Sequence, residues 1–305
     1  MKAMRLLAAG ERLRMMEVPD PKPRAGEIVI DVRAAGMCHS DAHYRAGRGR
    51  INLPLTLGHE AAGVVSAVGS NVTTVREGDR VAAHYLVANG DMFGKEIDGG
   101  YAQRMLMPAE NAVAIPKDIP FDQAAIMMCS TATVYHALRL APLRPGESVA
   151  ILGFGGLGFS ALQIAKKLGA ARIVAVDSVP SKLELARSLG AETELKDIDV
   201  ALELSGNEQV CLAGLRALKP GGRIVFVAIN LRSLTIDPYA DVLGRERRII
   251  GCSDHTREEL VELMEMRPDL SGAITRRVAF EESAINDVLD ELDRGTSHIR
   301  TVIGF

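Results

Sequence analysis

The sequence predicts an α/β protein of two lobes, one β-rich and barrel-like, the other a doubly wound parallel sheet. Three observations predict it. Residues 1–120 read as short strands punctuated by Gly, Pro, Asn and Asp; residues beyond Pro120 alternate apolar strands with amphipathic helices; and the tail returns to a different unit. With 305 residues, 47% hydrophobic and 25% charged, the chain has material for two ordinary domains and lacks a disordered composition.

In the first lobe, GEIVIDVRAAG (26–36), AAGVVSAVGS (61–70), DRVAAHYLV (79–87) and GYAQRMLMP (100–108) are expected strands. Pro19–Asp20–Pro21, Gly69–Ser70–Asn71 and Gly78–Asp79 supply the turns between them. Residues 121–141 have the length and apolar spacing of one helix. Then SVAILGFGGLG (148–158) runs from a strand into a glycine-rich turn, followed by helix 160–170, strand 172–178 and helix 181–191. Further buried strands are expected at 199–206, 222–229 and 247–254, a helix at 280–295 and a closing strand at 298–305.

A net charge of −3 and a pI near 6.2 give no reason to expect nucleic acid or an anionic membrane as partner. The basic stretches Arg45–Arg50 and Arg245–Arg248 are short. Cys38, Cys129, Cys211 and Cys252 lie far apart without a CxxC, which fits reduced thiols and a cytoplasmic protein. The N-terminus carries charges too often for a signal-peptide core, and no apolar run approaches the ~18 residues of a membrane span.

Gly153-Phe154-Gly155-Gly156-Leu157-Gly158 fits GxGxxG. Alone that is a weak signal, but a strand precedes it, a helix follows, and Asp177 ends the next strand nineteen residues after the last glycine. Glycines let backbone approach a pyrophosphate, the helix N-terminus offers free N–H groups, and the acid bonds ribose hydroxyls. A carboxylate at Asp177 repels a 2′-phosphate, and Ser178 rather than arginine follows, so NAD is expected over NADP. Lys182 is a candidate contact to the adenosine ribose.

The segment Gly36-Met37-Cys38-His39-Ser40-Asp41, with Gly58-His59-Glu60 and Cys129, brings imidazole and thiol donors that suit zinc and leave a coordination position open. Singly, a cysteine reads equally as a buried small hydrophobe and a histidine as a satisfied loop residue. Cys211 and Cys252 read as structural.

At these residues the chain resembles the zinc-containing medium-chain alcohol dehydrogenases. The resemblance runs nearly end to end: the Cys38–Asp41 segment, GHExxGxVxxVG (58–69), GDRV (78–81), DGGYA (98–102), CxxxTxxxAL (129–138), GFGGLG, KPGGR (219–223) and IRTVI (299–303). It implies a GroES-like catalytic domain, 1–130 with 272–305, and a Rossmann domain, 131–271. It implies one catalytic zinc on Cys38, His59 and Cys129, with Glu60 beside the metal, and Asp41 holding the other nitrogen of His59. Ser40 is implied to take the substrate proton and His43 to pass it on. His39 and Arg300 are implied at the pyrophosphate, Thr133 at the nicotinamide and Tyr85 at the substrate pocket. The implied reaction is reversible hydride transfer from a primary or secondary alcohol to NAD, giving an aldehyde or ketone, in a homodimer or homotetramer. Competing readings are a polyol or secondary-alcohol dehydrogenase of the same superfamily, in which an acid often replaces the third cysteine, and a non-catalytic nucleotide-binding protein.

Three places depart from the family pattern. Residues 84–95 hold no cysteine, so the sequence supports no structural zinc, and the chain looks abruptly joined at Val87–Ala88. Residues 192–204 are too few for a helical crossover between two strands, and Met266–Arg267 is a third short join. These joins are expected to mark absent surface loops; intact mass, set against 32.7 kDa, decides whether the protein carries them.

Overall fold

The structure is a computed structural model describing residues 1–229, 233–295 and 298–305. It divides into two compact units: Met1–Cys129 with Leu260–Arg267 and Ile274–Phe305, and Ser130–Glu259 with Pro268–Ala273. Residues 260–267 group with the first unit rather than with the nucleotide-binding lobe.

In chain order the first unit contains β1 (Lys2–Leu6), β2 (Arg14–Glu17), β3 (Glu27–Met37), α1 (His39–Arg45), β4 (Leu55–Thr56), β5 (Glu60–Val68), β6 (Arg80–Ala83), β7 (Arg104–Pro108), β8 (Ala112–Ala114) and α2 (Phe121–Ile126). The second unit holds α3 (Ala132–Leu140), β9 (Ser148–Leu152), α4 (Gly156–Lys167), β10 (Arg172–Val176), α5 (Pro180–Ser188), β11 (Ile198–Glu203), α6 (Glu208–Arg216), β12 (Leu218–Phe226) and β13 (Arg248–Gly251). After α7 (Arg257–Met266), the first unit is completed by β14 (Ile274–Ala279), α8 (Glu282–Arg294) and β15 (Arg300–Gly304).

Strand β3 is the spine of the first unit. It pairs antiparallel with β5, β7 and β15 along different stretches. Because successive side chains point to opposite faces, Ile28, Ile30 and Val32 enter one buried cluster with Val65, Val81 and Met105. Ala35 and Met37 enter another with Met4, Leu57, Tyr101 and Leu289. Two registers matter for the site: Gly36 faces Glu60 across β5, and Met37 faces Thr301 across β15.

The second unit is a parallel sheet in the order β10-β9-β11-β12-β13. Its first strand, SVAIL, is buried at every residue, as a strand covered on both faces requires. The order reverses between β10 and β11, on either side of β9. The loop leaving β9 therefore lies at the topological switch point, where such sheets bind ligands.

Local detail departs from expectation in four places. Residues 121–141 do not form one helix: between α2 and α3 the chain widens into a π turn, Met127–Thr131. The strand expected over 79–87 stops at Ala83. The Cys38–Asp41 segment opens a helix, α1, where no helix is expected.

The fourth concerns the joins. At Val87–Ala88 a tight turn closes, with Gly90 N donating to Val87 O at 2.8 Å. At the other two, Asp197 and Arg267 adopt positive φ, +53° and +51°, a region non-glycine residues rarely visit. Between β10 and β11 a single bridge, Val174 to Glu192, stands where another strand would run, and no helix follows it before Ile198.

Candidate metal centre and nucleotide loop

Four side chains from three segments of the first unit converge. Cys38 is the N-cap of α1, His59 precedes β5, Glu60 begins it, and Cys129 sits on the π turn. Their donor atoms all lie within 4.8 Å of one another, and among the described residues this is the one such group able to hold a metal ion. A π turn inserts an extra residue per turn, which re-aims the side chains after it. Here it is the local device that carries Cys129 to the group.

Asp41 organises the centre. Its Oδ2 accepts the Cys38 N–H at 2.9 Å, reaching back from the first turn of α1 to the N-cap, and also the Tyr101 hydroxyl at 2.8 Å. Its Oδ1 lies 3.0 Å from His59 Nδ1. A carboxylate only accepts, so Nδ1 carries the proton and Nε2 keeps its lone pair for a metal.

Glycine makes the close approaches possible. A Cβ at Gly36 would overlap the Glu60 carboxylate, and one at Gly58, whose φ is +95°, would overlap the Tyr101 ring. Tyr85, 4% exposed, meets His59 edge to face with ring centroids 5.5 Å apart.

The donor set fits a divalent cation. A hydrogen bond from the Cys129 thiol holds Cys38 well below the ordinary thiol value, while that bond and burial raise Cys129. Burial pushes the Glu60 carboxyl up to about 7 against the pull of Arg300. One carboxylate oxygen, Glu60 Oε1, is buried without a hydrogen-bond partner. Soft sulfur donors, one imidazole and an unsatisfied carboxylate oxygen are what zinc takes.

Arg300, implied at a pyrophosphate, has its guanidinium 5% exposed and ion-paired with Glu60. Nothing local announces that pair, since 240 residues separate its members. Ser40 Oγ lies 3.8 Å from Cys38 Sγ. His39 is exposed on the first turn of α1, and His43 is half-buried one turn later, with its Nδ1 2.8 Å from Arg48 Nη1. Tyr101 is the residue that the sequence reading left without a role. It lay inside the DGGYA motif, and only its contact with Asp41 reveals one.

In the second unit, the Gly153–Gly158 loop runs from the end of β9 into α4, with Gly155 as its N-cap and Gly156, Leu157 and Gly158 in its first turn. A Cβ at Gly158 would overlap the Gly153 carbonyl, so helix and strand can meet this closely only through glycine; around Gly155 a Cβ would meet nothing. Asp177, just beyond β10, accepts the Phe154 N–H at 2.8 Å through Oδ2 and the Val179 N–H at 2.9 Å through Oδ1. The acid ties the loop to the neighbouring strand. Thr133 lies on α3, its carbonyl 3.7 Å from Cys252 Sγ, and Lys182 is half-buried on α5.

A cysteine, histidine and glutamate centre in a GroES-like unit, carried on a chain that also has a Rossmann sheet with a glycine loop, defines a class: the zinc-binding dehydrogenases. Residues 24–117 match the model of the alcohol dehydrogenase GroES-like domain, and residues 156–267 that of the zinc-binding dehydrogenase domain.

The chain belongs to the zinc-containing medium-chain alcohol dehydrogenase family. An alcohol dehydrogenase of Geobacillus stearothermophilus is 31% identical over 326 positions, covering 95% of this chain and 96% of that one. An NAD-dependent alcohol dehydrogenase of Sulfolobus acidocaldarius is 31% identical over 343 positions, covering 99% of each. The solved alcohol dehydrogenase of Aeropyrum pernix superposes with a TM-score of 0.87 at 28% identity, covering 100% of both chains. The 343 aligned positions exceed the 305 residues of this chain, so at least 38 of them fall where it has none.

Proposed function

We propose that this protein is a zinc-dependent dehydrogenase that oxidises a primary or secondary alcohol with NAD, reversibly, to an aldehyde or ketone. The observation that carries the reading is the buried cluster Cys38, His59, Glu60 and Cys129, with donor atoms within 4.8 Å of one another. When bound, zinc supplies Lewis acidity that can bring the pKa of a coordinated water from 15.7 to about 7, and the nicotinamide supplies the hydride acceptor.

The chain's own residues do the rest. Ser40, next to the cluster, takes the substrate hydroxyl proton and His43 moves it outward. Asp41 fixes the tautomer of His59. The Arg300–Glu60 pair keeps a buried countercharge at the donor set, and Tyr85 forms an apolar wall. Gly153, Gly155, Gly156, Leu157 and Gly158 accept the pyrophosphate against backbone, with His39 beside it and Thr133 at the nicotinamide. Asp177, with Lys182 nearby, takes the ribose and repels a 2′-phosphate, which favours NAD over NADP.

The proposal extends to a homo-oligomer in the cytoplasm. The edge strand β13, with Ile249 38% exposed, supports the first, and four free cysteines support the second. No helix among the described residues is long and apolar enough to cross a membrane.

The test is an alcohol panel assayed with NAD and NADP in parallel, alongside zinc content. Activity tied to about one zinc per chain and stronger with NAD is expected. Full activity after zinc removal, or a preference for NADP, overturns the reading.

A further inference from the structure

Helix α1 ends in a way that decides the neighbourhood of His43. Gly47, at φ +72°, follows the C-cap Ala46; its N–H donates to Tyr44 O at 2.9 Å, and the Arg48 N–H donates to His43 O at 2.9 Å. This is a Schellman motif, in which the second residue past the helix folds back over the third from its end. An apolar contact usually joins those two positions. Here they are Arg48 and His43, and the contact is polar: Arg48 Nη1 to His43 Nδ1, 2.8 Å. The other guanidinium nitrogen, Nη2, is held 3.2 Å from Asp293 on α8.

A guanidinium has only donors and does not lose its proton in proteins. Nδ1 of His43 must therefore be the acceptor. We infer that Arg48 is a positioning residue for His43: it occupies Nδ1, fixes the imidazole as the Nε2–H tautomer, and must swing away before the ring can take up a proton. The catalytic consequence rests on the relay reading above; the tautomer does not.

In that relay His43 accepts a proton and hands it to solvent. With Arg48 in place, Nε2 already carries a hydrogen and Nδ1 is closed, so each transfer requires the Arg48 contact to open and free Nδ1. The charged groups facing the ring are Arg48 behind the helix, His39 on α1, Asp293 on α8 and Cys38 at the N-cap. Burial pulls His43 below its ordinary value, Arg48 and His39 pull the same way, and Asp293 and Cys38 act against them.

The experiment is a 15N–1H correlation of the histidine side chains across pH in the zinc-loaded enzyme, with His43→Gln assigning the signal. Comparison variants are Arg48→Met and Arg48→Lys. Arg48 is 57% exposed, so its truncation leaves the core intact. Wild type and Arg48→Lys should show the Nε2–H pattern, because lysine also only donates. Arg48→Met should show mixed tautomers and a midpoint shifted up towards about 6.5, the ordinary histidine value, and the acid limb of the kcat profile should move up with it. Unchanged tautomer and midpoint in Arg48→Met overturn the inference. A His43→Gln enzyme with the wild-type pH profile of kcat overturns the relay reading instead, and leaves the tautomer result standing.

Discussion

The Tyr101 hydroxyl donates to Asp41 Oδ2 at 2.8 Å, deep in the first unit where both side chains are 0% exposed. Asp41 in turn faces His59, so a phenol outside the donor set helps orient a histidine inside it. Tyr101→Phe keeps the ring and removes only the donor, leaving a buried carboxylate one hydrogen bond short. Bonds to charged groups contribute about 1.5–3 kcal/mol, and outer partners of metal ligands typically tune affinity about 10–100-fold. The expected result is a urea midpoint lowered by that energy at constant slope, with zinc held less tightly against a chelator. Wild-type values for both would refute the link.

The same ring limits residue 58. Gly58 stands at φ +95° with its Cα against Tyr101. Gly58→Ala adds a methyl group into the ring and forces a rare backbone region, so both overpacking and strain oppose it. Together these cost about 3 kcal/mol or more. Reduced zinc occupancy together with a lowered thermal midpoint is expected. A smaller partner at 101 should recover part of the loss: in the Gly58→Ala/Tyr101→Leu pair the two penalties should fall short of additivity, and strict additivity would show that the clash is not the cause.

Much of this was legible in the chain because the informative signals were local. Gly153–Gly158 declared a strand-to-helix turn, and the spacing to Asp177 placed an acid at the next strand end. Gly58-His59-Glu60 and Cys38 stood in motifs. What was not legible depended on distance or on small changes of backbone period. The Arg300–Glu60 pair joins residues 240 apart. The π turn at Met127–Thr131 differs from an α-helix by one residue in its hydrogen bonding, which apolar spacing does not register. Helix α1 was hidden because its seven residues are too few for a periodic pattern to stand out.

In the second unit, the short crossover after Glu192 is held by one side chain. Arg172 Nε bonds Glu192 Oε2 at 2.7 Å, Nη1 bonds Lys196 O at 2.6 Å, and Nη2 bonds Glu194 O at 2.6 Å. Where no helix covers that edge of β10, a guanidinium fork pins the loop. Arg172→Met should loosen it by about 2 kcal/mol, taking each bond near the usual ~0.5–1.5 kcal/mol and allowing for partial solvation. The Ala175 amide, which donates to Glu192 O at 2.8 Å, should then exchange roughly 10–30-fold faster. Unchanged protection at Ala175 would show that the loop stands without its clamp.

Asp199 gives the pH dependence a definite sign. It sits on β11, and its Oδ2 accepts the Ser148 N–H at 2.8 Å, the Ser148 hydroxyl at 2.7 Å and Lys219 Nζ at 2.7 Å. Burial alone would raise its carboxyl, but the bonds from Lys219 and Ser148 outweigh that and hold it below the ordinary value. A folded-state value below the unfolded one means the unfolded chain binds the proton more readily, so falling pH favours unfolding. The contribution is complete above the unfolded value of about 3.9 and fades as pH drops through the folded one. Asp199→Asn removes the charge and should cost about 1–2 kcal/mol at neutral pH, with the gap to wild type steady between about pH 7 and 5 and shrinking below about 4. Urea midpoints of both proteins across that range measure it. A gap that is constant throughout, or that widens in acid, would mean that Asp199 binds its proton at least as readily when folded as when unfolded.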